Sequence, residues 1–296
     1  MAKATNPVND DKIGNYRIVR TILQGQGAIV LEVVEEGSNR RFALKELLPS
    51  KAKDSAERKI FEMEAKLGMS LQHPNLVRVH DYVKDKKAPY FVMDYFPSTT
   101  MRLILAKEYE TYKPKLRRII EQSAAGLAYL HDKGWVHRDI KPENVIINKS
   151  AETRLIDYSL ALKVPKGLAK LFASKPACQG THTYMSPEQI LRKPLCLQAD
   201  IYSFGILLYE FACRKPPFRA DSKQALLKKH ISSPPSVLSS QDPNITPEYS
   251  ELVMRMLRKK PAERPKNMHE VMSAFNRIRI FKDDPEPGSS RSSSSL

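Results

Sequence analysis

Five residue types within eight positions, His137-Arg138-Asp139 followed by Lys141 and Asn144, could carry phosphoryl-transfer chemistry. An aspartate can accept the proton of an attacking hydroxyl and orient it. A lysine two positions on can neutralise charge on the transferred group. An asparagine offers a neutral oxygen to Mg²⁺, which prefers hard oxygen donors. At about one in twenty per specified type, a chance match in a chain of 296 residues is improbable, roughly one in ten thousand. Asp157 follows Asn144 by 13 residues, at the end of an expected strand Arg154-Leu155-Ile156. A lone aspartate there is usually a turn former. Paired with Asn144 it becomes a second metal ligand, bridged by the ion to nucleotide phosphates.

A second pair lies earlier. Strand alternation puts Ala43, Lys45 and Leu47 on one face and Phe42 and Leu44 on the other. A lysine among apolar neighbours either snorkels to solvent or is held inward by a carboxylate. Glu64 supplies one, on the apolar stripe of a helix expected over about Ser55–Leu71, with Ile60, Leu67 and Leu71. An ionised group on that stripe is costly unless paired. Together they predict a Lys45–Glu64 ion pair that presents Lys45 to phosphate oxygens. Glu57 and Glu62 compete as partners, but Glu62 points off the stripe. Gly25 and Gly27 sit in a turn between strands, where backbone N–H groups can approach phosphate unobstructed. Two glycines there are, taken alone, more often a plain hairpin turn.

These residues need elements to hold them. Ile29–Val34, Arg41–Lys45 and Tyr90–Met93 read as strands. From about Pro114 helices dominate, with Pro114 suited to a first turn. Leu116, Ile119, Ile120, Ser123, Leu127 and Leu130 fall on one helix face. Further helices are expected near 198–213, 221–231, 247–258 and 267–279. The chain thus predicts an α+β architecture: a small strand-rich lobe over about 15–96 with one main helix, then a larger helical lobe over about 97–281. Pro97-Ser98-Thr99-Thr100 is the connector. Residues 1–14 read as a flexible arm, and 282–296, rich in serine, as a disordered tail.

Composition narrows the class. The chain is 41% hydrophobic and 28% charged, enough to bury a core. No apolar run approaches the roughly 18–20 residues that span a bilayer. The N-terminus has no apolar signal core, and Cys178, Cys196 and Cys213 lie too far apart for a zinc or disulfide framework. The expectation is a cytoplasmic protein with reduced thiols. The net charge of +16 would attract nucleic acid or acidic surfaces. Because lysine and arginine are spread along the whole chain, a solvated basic surface is the favoured reading.

In this order the motifs resemble the eukaryotic-type protein kinase family, over about residues 16–280, with wording similar to bacterial serine/threonine members. The stretch Gly180-Thr181-His182-Thr183-Tyr184-Met185-Ser186-Pro187-Glu188-Gln189 resembles the end of an activation segment. The resemblance implies transfer of the γ-phosphoryl group of ATP to serine or threonine hydroxyls of protein substrates. Mg²⁺ would be the metal, with Mn²⁺ as a substitute. It implies Lys45, Glu64, Asp139 and Lys141 as catalytic residues and Asn144 and Asp157 as metal ligands. Ile22, Gly25, Gly27, Val30, Ala43 and Ile146 would line the nucleotide site. Met93 would be its gatekeeper, and backbone groups of Asp94 and Phe96 would bond adenine. Lys141 with Thr181 resembles the serine/threonine pairing. Asp200 matches the residue that braces the catalytic loop, and Arg264 the partner of Glu188.

The chain departs from the family in two places. The register that keeps Val30 15 residues before Lys45 leaves only Gly25 of three expected glycines, with Leu23 and Ala28 in the other two places and Gly27 extra. The metal motif reads Asp157-Tyr158-Ser159 in place of Asp-Phe-Gly, so the tyrosine hydroxyl needs a partner. Both departures admit a catalytically weak pseudokinase, a nucleotide-binding scaffold, as the alternative. Ser174 is the only hydroxyl residue between Leu160 and Gly180. With Arg138 beside the base, it is the expected regulatory phosphosite, and Thr181 and Thr183 are alternatives.

Overall fold

The computed structural model describes residues 12–164 and 179–286. The chain forms two compact units. Of the described residues, the first holds those up to Gln72 together with Val77–Pro97; the second holds His73–Leu76 and those from Ser98 onward.

The first unit is a six-stranded antiparallel sheet with a helix on it. Its strands are β1 (Lys12–Ile13), β2 (Tyr16–Gln24), β3 (Ala28–Glu35), β4 (Arg41–Leu47), β5 (Val79–Val83) and β6 (Tyr90–Asp94), in the order β1-β2-β3-β4-β6-β5. Lys12 and Ile13 pair with Arg17 and Tyr16, so part of the expected arm is sheet. The two faces of β4 serve two cores, as period-two alternation requires. Phe42 and Leu44 pack with Leu31, Val33, Tyr90 and Val92. Leu47 faces the other way, with Phe91 and with Phe61 and Ala65 of the main helix. A short helix α1 (Pro49–Ala52) precedes that helix, α2 (Ser55–Ser70), whose first turn is capped by the Asp54 carboxylate accepting from Ala56 N–H. Its buried face is Phe61, Glu64, Ala65, Leu67 and Gly68. Ile60, expected on that face, is 36% exposed. Phe61 takes the inward place and lies 5.0 Å from the Phe91 ring.

The second unit is mostly helical. After β7 (Thr99–Thr100) come α3 (Met101–Leu103), a π turn over Ile104–Glu108, α4 (Tyr109–Tyr112) and a 3₁₀ turn that carries Pro114 near its start. Then α5 (Leu116–Asp132) buries all six residues of the expected face. Short strands follow: β8 (Trp135–Val136), β9 (Val145–Ile147), β10 (Thr153–Leu155) and β11 (Leu162–Lys163). They form a β10-β9-β7 sheet and a β11–β8 pair. The remaining helices are α6 (Pro187–Ile190), α7 (Gln198–Cys213), α8 (Lys223–Ser232), α9 (Pro247–Met256) and α10 (Met268–Phe275). Each matches an expected helix except the one-turn α6. The middle of α7, Ala199 to Ala212, is buried throughout, which explains why it is mostly apolar on every face.

His73–Leu76 join this unit for a visible reason. A side chain at Gly126 of α5 would meet the Asn75 carbonyl at 2.8 Å, so glycine admits the close approach. Asn75 then accepts from Leu155 N–H at 2.8 Å and donates to the Thr153 carbonyl at 2.9 Å. At the other end, the expected tail begins tied down. Lys282 N–H reaches the Asn244 carbonyl, and the Asp284 carboxylate caps Ile280 and Phe281. Among the described residues no helix is long and apolar enough to cross a membrane.

Candidate active site

In the first unit Lys45 Nζ lies 2.6 Å from Glu64 Oε1, with side chains 17% and 5% exposed. The strand and the capped helix each turn one charged group inward, and each charge offsets the desolvation of the other. Lys45 also lies 5.6 Å from the Phe91 ring centroid. The competing carboxylates are engaged elsewhere, Glu57 with Lys51 and Glu62 with Lys66 and Lys84. Val30 stands opposite Lys45 in the β3–β4 register. Ala43 is buried, Met93 is half-buried, and Ile22 is 42% exposed. Asp94 donates its N–H to the Arg78 carbonyl at 3.0 Å, and its carboxylate sits 2.7 Å from His80 Nε2. Phe96 is half-buried two residues on. At the glycine turn, Gly25 N–H closes on the Ala28 carbonyl at 2.9 Å, and the Gly27 carbonyl accepts from Leu48 N–H. The Gly25 N–H is thus committed to the turn itself.

The second unit builds its loop on one carboxylate. Asp200, in the first turn of α7 and wholly buried, accepts from His137 N–H at 2.6 Å, Arg138 N–H at 2.8 Å and the His131 ring at 2.9 Å. Burial alone would raise its carboxyl; the His131 bond and the other donors hold it below the ordinary aspartate value. Arg138 takes φ 70°, a left-handed conformation uncommon outside glycine. Its peptide is held on both sides, by Asp200 at the N–H and by Gln189 Nε2 at the carbonyl, 2.9 Å away. Gly180, at φ 121°, passes so close that a side chain there would meet that same carbonyl at 3.0 Å.

This frame aims Asp139. Its Oδ2 accepts from Lys141 Nζ at 2.5 Å and Asn144 Nδ2 at 3.2 Å. Its Oδ1 accepts from the Thr181 N–H and hydroxyl, both at 3.0 Å. Lys141 Nζ also donates to the Thr181 hydroxyl at 3.0 Å. A hydroxyl therefore already rests between the aspartate and the lysine, donating to one and accepting from the other.

Asn144 spends its amide N–H₂ on Asp139, which leaves its side-chain oxygen as a hard donor. Its carbonyl accepts from Ile156 N–H at 3.1 Å, tying it to the residue before Asp157. Asp157 is half-buried at φ 67°. One amide oxygen and one carboxylate are hard donors, and Mg²⁺ takes few protein ligands and completes its shell with phosphates and water. The donor set fits such an ion. Tyr158, buried, bonds the Leu155 carbonyl through its hydroxyl at 3.3 Å and sets its ring edge-on to His137. The hydroxyl thus has the partner it was expected to need. Ile146 is half-buried on β9, and Thr183 half-buried beyond Thr181. Ser174 lies outside the described residues. Glu188 and Arg264 join as a buried two-pronged pair at 2.6 and 2.9 Å. The sequence reading took Gln189 only as the end of the activation segment and missed its hold on the Arg138 carbonyl, though the pattern Ser186-x-x-Gln189 announces its place in a capping box.

Comparison with known proteins agrees with this geometry. The chain is 31% identical over 262 residues to a probable serine/threonine-protein kinase of Streptomyces coelicolor, covering 87% of this chain and 39% of that one. It is 30% identical to serine/threonine-protein kinase pkn2 of Myxococcus xanthus, with 88% of this chain and 32% of the relative covered. It is 30% identical to serine/threonine-protein kinase PknA of Mycobacterium tuberculosis, with 93% and 63% covered. The chain thus spans 32% to 63% of the length of these relatives. The protein kinase domain model matches residues 16–275, and with Lys45–Glu64 in one unit and the Asp200-braced Asp139 loop in the other, the chain belongs to the protein kinase domain family.

Proposed function

We propose that this chain transfers the γ-phosphoryl group of ATP to serine or threonine hydroxyls of protein substrates in the cytoplasm. The observation that carries the reading is the Thr181 hydroxyl held between Asp139 Oδ1 and Lys141 Nζ. An incoming serine or threonine hydroxyl needs that same pair of neighbours. The names of the relatives point to the same reaction.

In this reading the substrate oxygen forms a bond to the γ-phosphorus, the bond to the β–γ bridging oxygen breaks, and ADP leaves. Asp139 accepts the hydroxyl proton, and Lys141 offsets charge on the moving group. Lys45, steadied by Glu64, draws on phosphate oxygens of the nucleotide. Val30, Ala43, Met93 and Ile146, with the Ile22–Gly27 turn and the backbone of Asp94 and Phe96, receive the base and phosphates. Asn144 and Asp157 would hold Mg²⁺ or Mn²⁺, which supplies charge neutralisation between phosphates when bound. Thr181 acts as a positioning residue, which leaves Ser174 and Thr183 as the regulatory phosphosites, read through Arg138.

The test is transfer of label from ATP to serine and threonine peptides, with Asp139→Asn as control. Transfer that Asp139→Asn abolishes supports the reading. ATP binding without transfer above that control would replace it with the pseudokinase.

A further inference from the structure

A charged cluster on the sheet of the first unit plays no part in the proposed reaction. Arg20, Glu32, Ala43 and Met93 stand opposite one another across β2, β3, β4 and β6, so their side chains share one face. Val30 and Lys45, two residues along, form the next row on that face. Ala43 and Met93 belong to the proposed nucleotide site; Arg20 and Glu32 do not. Glu32 is only 2% exposed, although Arg20 and Arg41 beside it are exposed. Its carboxylate accepts from Arg20 Nε at 2.7 Å and from Arg41 Nη1 at 3.1 Å. The Tyr95 hydroxyl bonds the same carboxylate and accepts from Arg20 Nη2 at 3.2 Å. Burial alone would raise the Glu32 carboxyl; the bonds from Tyr95 and Arg20 outweigh burial and hold it below the ordinary glutamate value. Glu32 therefore stays an ionised acceptor in a closed ring of three side chains.

What the ring joins gives it a role. Tyr95 follows the last residue of β6 and stands between Asp94 and Phe96, whose backbone groups would bond adenine. The strand ladder pairs Asp94 with Phe42 and stops there. On the other side, Arg20 lies where β2 is poorly registered. The β2–β3 register slips between Ile18 and Arg20 and again between Thr21 and Leu23. Ile22, expected to line the nucleotide, falls in the second slip. The ladder alone thus specifies neither wall of the base site, and the Arg20–Glu32–Tyr95 ring runs from one to the other. A guanidinium bonded through two nitrogens to a carboxylate and a hydroxyl fixes direction as well as distance.

We propose that Arg20, Glu32 and Tyr95 form a clasp that holds residues 95–96 against β2 and so sets the grip on the base, which makes the three positioning residues for the nucleotide. The clasp acts at the base end, while Lys45 and the glycine turn act at the phosphate end. This inference rests on the nucleotide site of the kinase reading above.

The experiment measures the affinity of the full chain for adenosine and for tripolyphosphate, each in competition with labelled ADP, with the KM for ATP as a second readout. Tyr95→Phe keeps the ring and removes only the hydroxyl; Glu32→Gln keeps the shape and removes the charge. Each is expected to weaken adenosine about threefold to tenfold and to leave tripolyphosphate within about twofold, as one or two hydrogen bonds are lost. The loss should appear in the KM for ATP rather than in kcat. The double variant should lose little more than Glu32→Gln alone, because both substitutions break one ring. Should Glu32→Gln melt below the assay temperature, Tyr95→Phe and Arg20→Gln carry the same measurement. Unchanged adenosine affinity in folded variants overturns the inference, as does a wild type with no affinity for adenosine. Equal weakening of adenosine and tripolyphosphate also overturns it, because that is a general loosening of the sheet. A wild type that binds adenosine but transfers no phosphoryl group overturns the kinase reading instead, and the binding arms still decide on the clasp.

Discussion

The Asp139 loop and the glycine turn are built by opposite means. The loop is a lattice of buried donors and acceptors, with Asp200 beneath two of its peptide N–H groups and four hydrogen bonds converging on Asp139. The turn between β2 and β3 has exposed residues from Gln24 to Gln26 and is closed by backbone bonds at Gly25 and Gly27. In the loop the polar side chains of Asp139, Lys141 and Asn144 are bonded to one another and to Thr181, so few positions are spare. In the turn only backbone shape is demanded, so the chain can carry Leu23 and Ala28 in places where the family resemblance led us to expect glycine and still form the hairpin. The difference teaches where substitution is tolerated: the Asp139 loop is over-determined, and the glycine turn is not.

That contrast is open to direct attack. Asp139→Asn should lower transfer about a hundredfold to ten-thousandfold, measured with labelled ATP, while its thermal melt moves less than that of Asp200→Ala. Asp200→Ala leaves buried donors without their carboxylate and should cost about 3–5 kcal/mol in a denaturant titration. A loss below about 1 kcal/mol would mean the lattice is looser than its distances imply. His230 extends the contrast to pH. Burial, then the nearby Lys259 charge, depress its ring to about 4 from the ordinary 6.5. The unfolded chain therefore binds a proton that the folded one refuses between those values. Stability is full above about pH 6.5 and falls by about 3 kcal/mol toward pH 4. His230→Gln should flatten that slope in melts taken across the window; an unchanged slope would assign it to other groups. Smallest of all, Gly25→Ala brings a methyl to 3.2 Å from the Ala28 carbonyl. It should cost under about 1 kcal/mol of stability and raise the KM for ATP a few-fold. A large loss of stability would show that the turn, too, is tightly specified.

Much of this was legible in the sequence because local spacing carried it. Lys45 and Glu64 announced themselves by strand and helix periodicity, and Asp139, Lys141 and Asn144 by a dense motif. Ile60 went wrong because one residue is a 100° step on a helix, and Ile60 and Phe61 are both apolar; only packing against Phe91 decides between them. Lys12–Ile13 were missed because two residues carry no period, and they become a strand only by pairing with β2. The hydrogen bonds of Arg102 to Glu143, Tyr184 and Glu210 were invisible for another reason: they span 41, 82 and 108 residues, and no motif links them.

The Asp200 brace has a consequence for synthesis. The left-handed turn at Arg138 depends on a carboxylate 62 residues further along the chain. A ribosome adding about 5–20 residues per second needs roughly 3 to 12 seconds to make that stretch. Through that interval the nascent loop exists without its anchor. Fragments that stop before residue 200 should contain every residue of the His137–Asn144 motif and still lack its shape.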